Sequence, residues 1–427
     1  MKSTTKKEKP TRRDFLKTAG KFGTAAVLAP TIVPSSVFGA SAPSNRIAIG
    51  CIGTGGMGMG DMRAFMAQPA GQIVAVCDVD AKHRERARIE AKLDKNDAYN
   101  DFRELLERDD VDAVTVVTPD HWHVPISMAA AKAGKDVYCE KPLTLAIQEG
   151  RDLANVVRRY GRVLQTGSQQ RSDYRFHQAC ELVRNGFIGE LHTMRAQIPP
   201  NNRTSPPQWS PEPVPEGFDY DMWLGPATWE PYHSQRCHYS FRFVFDYSGG
   251  QMTNFGAHAL DISQWANAAD DTGPVEIEGY GEFPKSGLFN TALNAYIEYT
   301  YANGVKLICE TGDHNNTFEG SEGWIFVSRS EIKAHPKSIL KEIVGPNGVQ
   351  LEVSNDHHRN FLDCVKLRKD PIANVEVGHR SSTVCHLGNI AMRLERKLRW
   401  DPKKEEFIGD VAANKMRARG RRSPWYI

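Results

Sequence analysis

The chain has 427 residues, 40% of them hydrophobic, with 54 Lys and Arg against 52 Asp and Glu and a formal charge of +2. That length is too great for one ordinary core and suits two folding units. Ordinary apolar content and balanced charge exclude a disordered chain and a binder of nucleic acid.

The basic excess gathers at the two ends, residues 2–13 and 415–422, leaving the middle neutral to slightly acidic. Near the N-terminus, Thr11-Arg12-Arg13-Asp14-Phe15-Leu16-Lys17 precedes a moderately apolar run over residues 18–33 and then Ala40-Ser41-Ala42. A charged region, an apolar region and a small-residue cleavage site, in that order, predict a signal segment over residues 1–42. The arginine pair resembles a twin-arginine address, so the expected mature chain begins near Pro43 and is periplasmic or otherwise exported by the twin-arginine machinery. No later segment approaches the ~18 apolar residues of a membrane-spanning helix. Of the 8 cysteines, Cys51, Cys77 and Cys139 lie within or at the end of apolar runs, which reads as buried free thiols. Folding in a reducing cytoplasm before export agrees with low disulfide use.

From Arg46 to Gln165 short apolar runs (46–52, 72–77, 113–117, 136–139, 162–165) alternate with helical patterns (80–93, 123–133, 145–160). Strands alternating with helices predict parallel strands joined by crossovers, an α/β fold with a Rossmann-type doubly wound sheet over residues 46–168. Residues 199–231 are rich in Pro, Trp, Asn and Ser without a clear period, which suits a lid or binding surface. Beyond it, 275–278, 293–301 and 305–310, with Asn303-Gly304 as a tight turn, predict an α+β domain over residues 169–400 with an open, mostly antiparallel sheet. Helical patterns at 356–369 and 377–398 close it. The basic tail, 401–427, has no periodicity and is expected to lack structure.

Directly after the first strand comes Gly53-Thr54-Gly55-Gly56-Met57-Gly58, opening a helix. Glycines there allow a tight turn, close approach of backbone amides to a pyrophosphate, and packing of helix on strand. Asp78 follows at the end of the second strand, where a carboxylate can accept both ribose hydroxyls. Because Val79-Asp80 comes next, a 2′-phosphate would meet negative charge, so NAD is favoured over NADP.

Thr118-Pro119 with His123, and Glu140-Lys141-Pro142, stand at carboxyl ends of parallel strands, where open α/β sheets bind ligands. Lys141 can hydrogen-bond a substrate hydroxyl and, if desolvated beside positive charge, lose its proton; its plainer reading is a surface lysine paired with Glu140. Further on, residues 247–261 place Asn254, His258 and Asp261 on one face if the stretch is helical. A near-neutral His258 there could take an alcohol proton, or could be a histidine satisfied inside a packing contact. His233, His238, His314, His357-His358 and the His121/His123 pair have no metal-ligand spacing, and no metal is assigned. Trp209, Trp223 and Trp229 could stack on sugar faces or anchor an irregular loop.

Taken in order, the Gly-rich turn, Thr118-Pro119 with His123, Glu140-Lys141-Pro142 and the Gly-Gly to His258 segment resemble the glucose-fructose oxidoreductase, inositol dehydrogenase and MocA superfamily, from about Arg46 to Pro402. The resemblance implies Lys141 and His258 flanking the reacting carbon and the nicotinamide near Pro119 and Glu140. It places cofactor contacts on Gly53, Gly55, Gly56, Met57, Gly58, Asp78, Thr118, Pro119, His123, Glu140 and Lys141, and substrate contacts on Arg171, Asn254 and Asp261. A homodimer or homotetramer built through the open sheet is also implied. The chain departs from the family at Asn254, where dehydrogenases commonly carry aspartate; an amide hydrogen-bonds a hydroxyl but cannot accept a proton.

The expected activity is hydride transfer between a hydroxyl carbon of a sugar, polyol or glycoside and tightly bound nicotinamide, with Lys141 and His258 as acid and base. Tight binding follows from export, since free NAD is scarce outside the cytoplasm and hydride must be returned on site. A redox-neutral glycosidase that oxidises its substrate transiently is the alternative, and a non-catalytic NAD-binding sensor or scaffold the third reading.

Overall fold

A computed structural model describes residues 45–204, 206 and 208–425; the expected signal segment lies outside the described residues. β1 (Ile47–Ile52) is buried along its whole length except at Ala48, as a strand covered by helices on both faces must be. It is followed by α1 (Gly56–Met66), β2 (Gly71–Cys77), α2 (Ala81–Glu90), β3 (Ala98–Tyr99), α3 (Phe102–Leu106), β4 (Ala113–Val116), α4 (Asp120–Lys132), β5 (Asp136–Cys139), α5 (Ile147–Arg159) and β6 (Leu164–Thr166). All six strands pair in parallel in the order β3-β2-β1-β4-β5-β6. Strand order therefore reverses between β1 and β4, and a crevice opens beyond their carboxyl ends.

The second part runs α6 (Tyr174–Arg184), β7 (Leu191–Ile198), a long excursion containing α7 (Tyr220–Leu224), then α8 (Gln251–Asn254) and α9 (Gly256–Ala266). Strands β8 (Glu276–Glu282), β9 (Asn294–Thr300), β10 (Lys306–Thr311), β11 (Asn315–Gly320), β12 (Gly323–Ser328) and β13 (Ile332–His335) come next. The chain ends with α10 (His357–Leu367), α11 (Val375–Leu394), β14 (Leu398–Asp401), β15 (Glu406–Phe407) and α12 (Val411–Lys415). The nine-stranded sheet has the order β13-β12-β11-β7-β10-β9-β8-β14-β15 and is antiparallel apart from the β7–β10 pair. Strict alternation along β9, with Ala295, Ile297 and Tyr299 buried, turns one face onto the helices and leaves the other open. No helix among the described residues is long and apolar enough to cross a membrane. All eight cysteines are free thiols, and every one but Cys237 is buried.

Two expectations about the chain after residue 169 are corrected. α10, placed by sequence order in the second domain, completes the first: Phe361 and Leu362 join the core that holds Phe65 and Tyr138, with Phe361 5.9 Å from each of those rings. The tail after residue 400 is structured. Trp400 pairs with Phe407 across β14 and β15 and both are 1% exposed, while Arg421 reaches Glu149 at 2.5 Å and Arg422 reaches Asp221 at 2.5 Å. Trp425 then packs on Trp122, ring centroids 5.0 Å apart. Such a segment has no period because its pieces are held one residue at a time by distant parts of the fold.

Candidate active site

The Gly-rich turn has the geometry that its composition implies. Gly53 adopts φ +82°, and a Cβ there would sit 2.5 Å from the Val117 carbonyl oxygen; one on Gly58 would sit 2.0 Å from the Gly53 oxygen. Those two glycines serve the turn and the packing of α1 on its strand. Gly56 has nothing within 4 Å of its missing Cβ, and Gly55 meets only the edge of His83, so that side faces open space. With Gly55 as its N-cap, α1 begins without any side-chain cap. Its first amides are therefore left for an anion, as a pyrophosphate requires.

Asp78 closes the far side of this cleft. Its carboxylate accepts from the Thr54 amide at 2.7 Å and the Asp80 amide at 2.9 Å, with His83 Nδ1 3.7 Å away. Burial pushes its pKa up, but His83 and those amides outweigh burial and hold Asp78 below the usual carboxylate range. The neighbouring Asp78 carboxylate in turn raises the pKa of His83. His238, far along the chain, lies 3.1 Å from Asp80, so Asp80, His83 and His238 bring donor atoms within 4.8 Å of one another. Sequence spacing gave no hint of this group, because the long excursion folds back over the crevice to make it.

The cleft of about 360 Å³ runs from Gly55 and Asp78 past Thr118 and Pro119 to Glu140, Lys141 and Asn254, with Trp223 and Arg242 of the excursion as its opposite wall. A second cavity of about 470 Å³ shares Met57, Glu140, Lys141 and Asn254 with it and adds Gln169, Phe255, His258 and Arg329. Lys141 thus stands where the two spaces meet. Its ammonium nitrogen donates to Asn254 Oδ1 at 3.2 Å, and Asn254 Nδ2 donates to Gln251 at 3.0 Å, which fixes the amide's orientation. Burial lowers the Lys141 pKa, and Arg242 and Arg329 lower it further against the pull of Glu140. Glu140 accepts from the Gln169 amide at 2.7 Å; burial and the neighbouring Asp61 charge push it up to about 8.

His258 is 5% exposed, and its Nδ1 has no hydrogen-bond partner among the described residues. Burial, reinforced by Lys141 and Arg329, pushes its pKa well below the ordinary histidine value. The near-neutral pKa expected for His258 from sequence is therefore corrected to one well below that range, which keeps the ring neutral. The stretch 247–261 is helical from Gln251, with a break at Phe255 between α8 and α9, and Asn254 and His258 face one cavity.

Arg171 and Asp261, expected on the substrate, are corrected to a structural pair. Arg171 donates to Asp261 at 2.8 and 2.9 Å and to Asp270 at 2.6 Å, and Ser381 donates to Asp261 at 2.6 Å. Arg171 and Asp261 are each 1% exposed, and the turn of α9 beyond His258 aims Asp261 into the core. His123 lies on the cleft wall, but its ring nitrogens face the carbonyls of Pro142 at 2.7 Å and Thr118 at 2.9 Å, bracing the two cofactor-lining segments. Trp223 and Trp209 anchor the excursion: the Trp223 carbonyl bonds His121 and Trp122, and Arg236 stacks 5.0 Å from the Trp209 ring. Trp229 is 59% exposed. Sequence reading missed Gln169, Arg242 and Arg329, which lie outside any motif and reach the site only through tertiary packing, and Phe255, which sits within the Gly-Gly to His258 segment.

A doubly wound sheet with an uncapped Gly-rich helix start and a carboxylate at the end of its second strand defines a dinucleotide-binding Rossmann domain. The oxidoreductase-family NAD-binding Rossmann fold of the Gfo/Idh/MocA proteins matches residues 47–168, and the C-terminal alpha/beta domain of the same family matches 204–427. The chain belongs to the Gfo/Idh/MocA oxidoreductase family. It is 34% identical over 148 residues to an inositol 2-dehydrogenase of Rubrobacter xylanophilus, covering 34% of this chain and 42% of that protein. It is also 34% identical over 205 residues to a glycosyl hydrolase family 109 protein of Solibacter usitatus, covering 43% and 44%. The matches thus span under half the length of these curated relatives. Among solved structures, aldose-aldose oxidoreductase from Caulobacter crescentus complexed with glycerol shares the fold at a TM-score of 0.63 with 17% identity, covering 83% of this chain and 99% of that one. Levoglucosan dehydrogenase complexed with NADH and levoglucosan gives 0.61, with 16% identity and 83% and 99% coverage.

Proposed function

We propose that this chain oxidises or reduces a hydroxyl-bearing carbon of a sugar, polyol or glycoside, using NAD held in the first cleft. The observation that carries this reading is Lys141, oriented by Asn254 and pushed toward its neutral form at the junction of the two cavities. NAD, when bound, supplies the hydride acceptor. The uncapped start of α1 would hold the pyrophosphate and Asp78 the adenine-side ribose, with Thr118, Pro119 and Glu140 flanking the nicotinamide end. A neutral Lys141 accepts the substrate hydroxyl proton. His258, neutral and lining the second cavity, hydrogen-bonds a hydroxyl and positions it. Lys141→Met in NAD-loaded protein should lower nicotinamide reduction by a carbohydrate about 10²- to 10⁴-fold. An unchanged rate would remove Lys141 from the mechanism.

Tight retention of the cofactor is part of the proposal, supported by the excursion that walls the cleft opposite the Gly-rich turn. Denaturing the purified protein and identifying the released nucleotide by mass spectrometry tests it: stoichiometric NAD supports retention, and an empty protein refutes it. Export by the twin-arginine route is proposed on the N-terminal sequence, and a signal-dependent periplasmic location in fractionated cells is the expected result. A second copy of this chain on the open sheet face is proposed on the family resemblance, and a monomer by sedimentation would refute it. The likeness to glycosyl hydrolase family 109 proteins supports a second reading, glycoside cleavage without net reduction of NAD.

A further inference from the structure

We propose that Arg329 selects a substrate bearing a carboxylate, so that the preferred class is sugar acids of the uronate type or their glycosides. This rests on the reading of Lys141 and His258 as the residues that meet the reacting hydroxyl. Arg329 occupies the turn between β12 and β13 and lines the same cavity as Lys141, Asn254 and His258. Nearby cations on the same sheet are paired, Arg195 with Glu319 at 2.9 Å and Lys333 with Glu331 at 2.7 Å. Arg329 makes no hydrogen bond or ion pair among the described residues, and it stands exposed at the cavity mouth.

The other charges in this cavity are accounted for without a ligand. Asp173 caps α6 and pairs with Arg175 at 2.9 Å. Glu140 is buried against Gln169 and is pushed up to about 8, so it carries little charge near neutral pH. Lys141 and His258 are both driven toward their neutral forms, in part by Arg329 itself. A guanidinium keeps its proton under all these conditions, which leaves Arg329 as the fixed positive charge of the cavity. A neutral polyol would give it no ionic partner. A carboxylate offers two oxygens to the planar fork of donors, the geometry in which arginine exceeds any uncharged polar group. The cavity, about 470 Å³, lies in the size range of small-ligand sites, so one group can sit at Lys141 while another meets Arg329.

The test uses the full NAD-loaded chain and follows nicotinamide reduction by matched pairs, D-glucuronate against D-glucose and D-galacturonate against D-galactose, together with their methyl glycosides. The acids should exceed their neutral counterparts in kcat/KM by at least about tenfold. Arg329→Gln should cut the acid-to-neutral ratio about 10- to 100-fold, chiefly through KM, with Arg329→Lys restoring part of it. Neutral sugars oxidised as well as the acids, or an acid preference that survives Arg329→Gln, would overturn the proposal while leaving the oxidoreductase reading intact. Reduction by none of these sugars, with NAD bound, would overturn both.

Discussion

Replacing Asn254 by aspartate would put a negative charge where the Lys141 ammonium now meets a neutral amide oxygen at 3.2 Å. At an effective dielectric near 20, unit charges at that separation attract by about 5 kcal/mol. The gain is smaller than this ceiling, because Lys141 is half-buried and the new carboxylate must itself leave water. About 1.4 to 3 kcal/mol survives, which favours the ammonium and raises the pKa at which Lys141 becomes a base. The sign follows directly: the neutral amine is the working form, so the acidic limb of the kcat/KM profile should move up by about one to two pH units in Asn254→Asp. At a pH below the new limb the variant is slower, and at high pH the two enzymes converge. The assay is nicotinamide reduction across pH with a carbohydrate that the wild type oxidises. A limb that stays in place would mean that the titrating group is not Lys141, and the assignment of the base would fall.

Asp78→Ala should weaken NAD about 10- to 100-fold and narrow the preference over NADP, since two ribose hydroxyls lose an ionised acceptor; competitive titration checks this, and an unaltered preference would misplace the ribose site. Arg171→Met, which strands Asp261 in the core, should cost about 3–5 kcal/mol of stability by urea unfolding. KM should be unchanged in the protein that remains folded, and a KM effect without a stability loss would return Arg171 to the substrate. Removing the cation at Arg421 leaves Glu149 buried without its 2.5 Å partner, so Arg421→Ala should cost about 1.5–3 kcal/mol in the same assay. Unchanged stability would return the tail to the structureless segment expected from sequence.

The first sheet was readable because its signals are local. Alternating strands and helices, glycines at the end of β1 and an acid at the end of β2 each act within a few residues of the place where they are needed. Lys141 and His258 were also found in sequence, carried by short motifs at strand and helix ends. The tail and α10 were misread for one shared reason: their apolar residues pack on partners hundreds of positions away, so chain order says little about their location. Asp261 was misjudged because helical spacing places it near His258 but does not say which side of α9 meets the core.

The amino-acid sequence by itself determined the architecture, the position of the dinucleotide turn and two residues, Lys141 and His258, that line one cavity, because backbone geometry and side-chain period are written in neighbouring positions. Only the tertiary structure decided the charge states and the walls of the site. Burial makes His258 neutral and Glu140 reluctant to ionise, the excursion brings His238 to Asp80 and Trp223 to the cleft, and the β12–β13 turn delivers Arg329 to the cavity mouth. Desolvation and long-range approach depend on the packing of the whole chain, and no stretch of sequence holds that information alone.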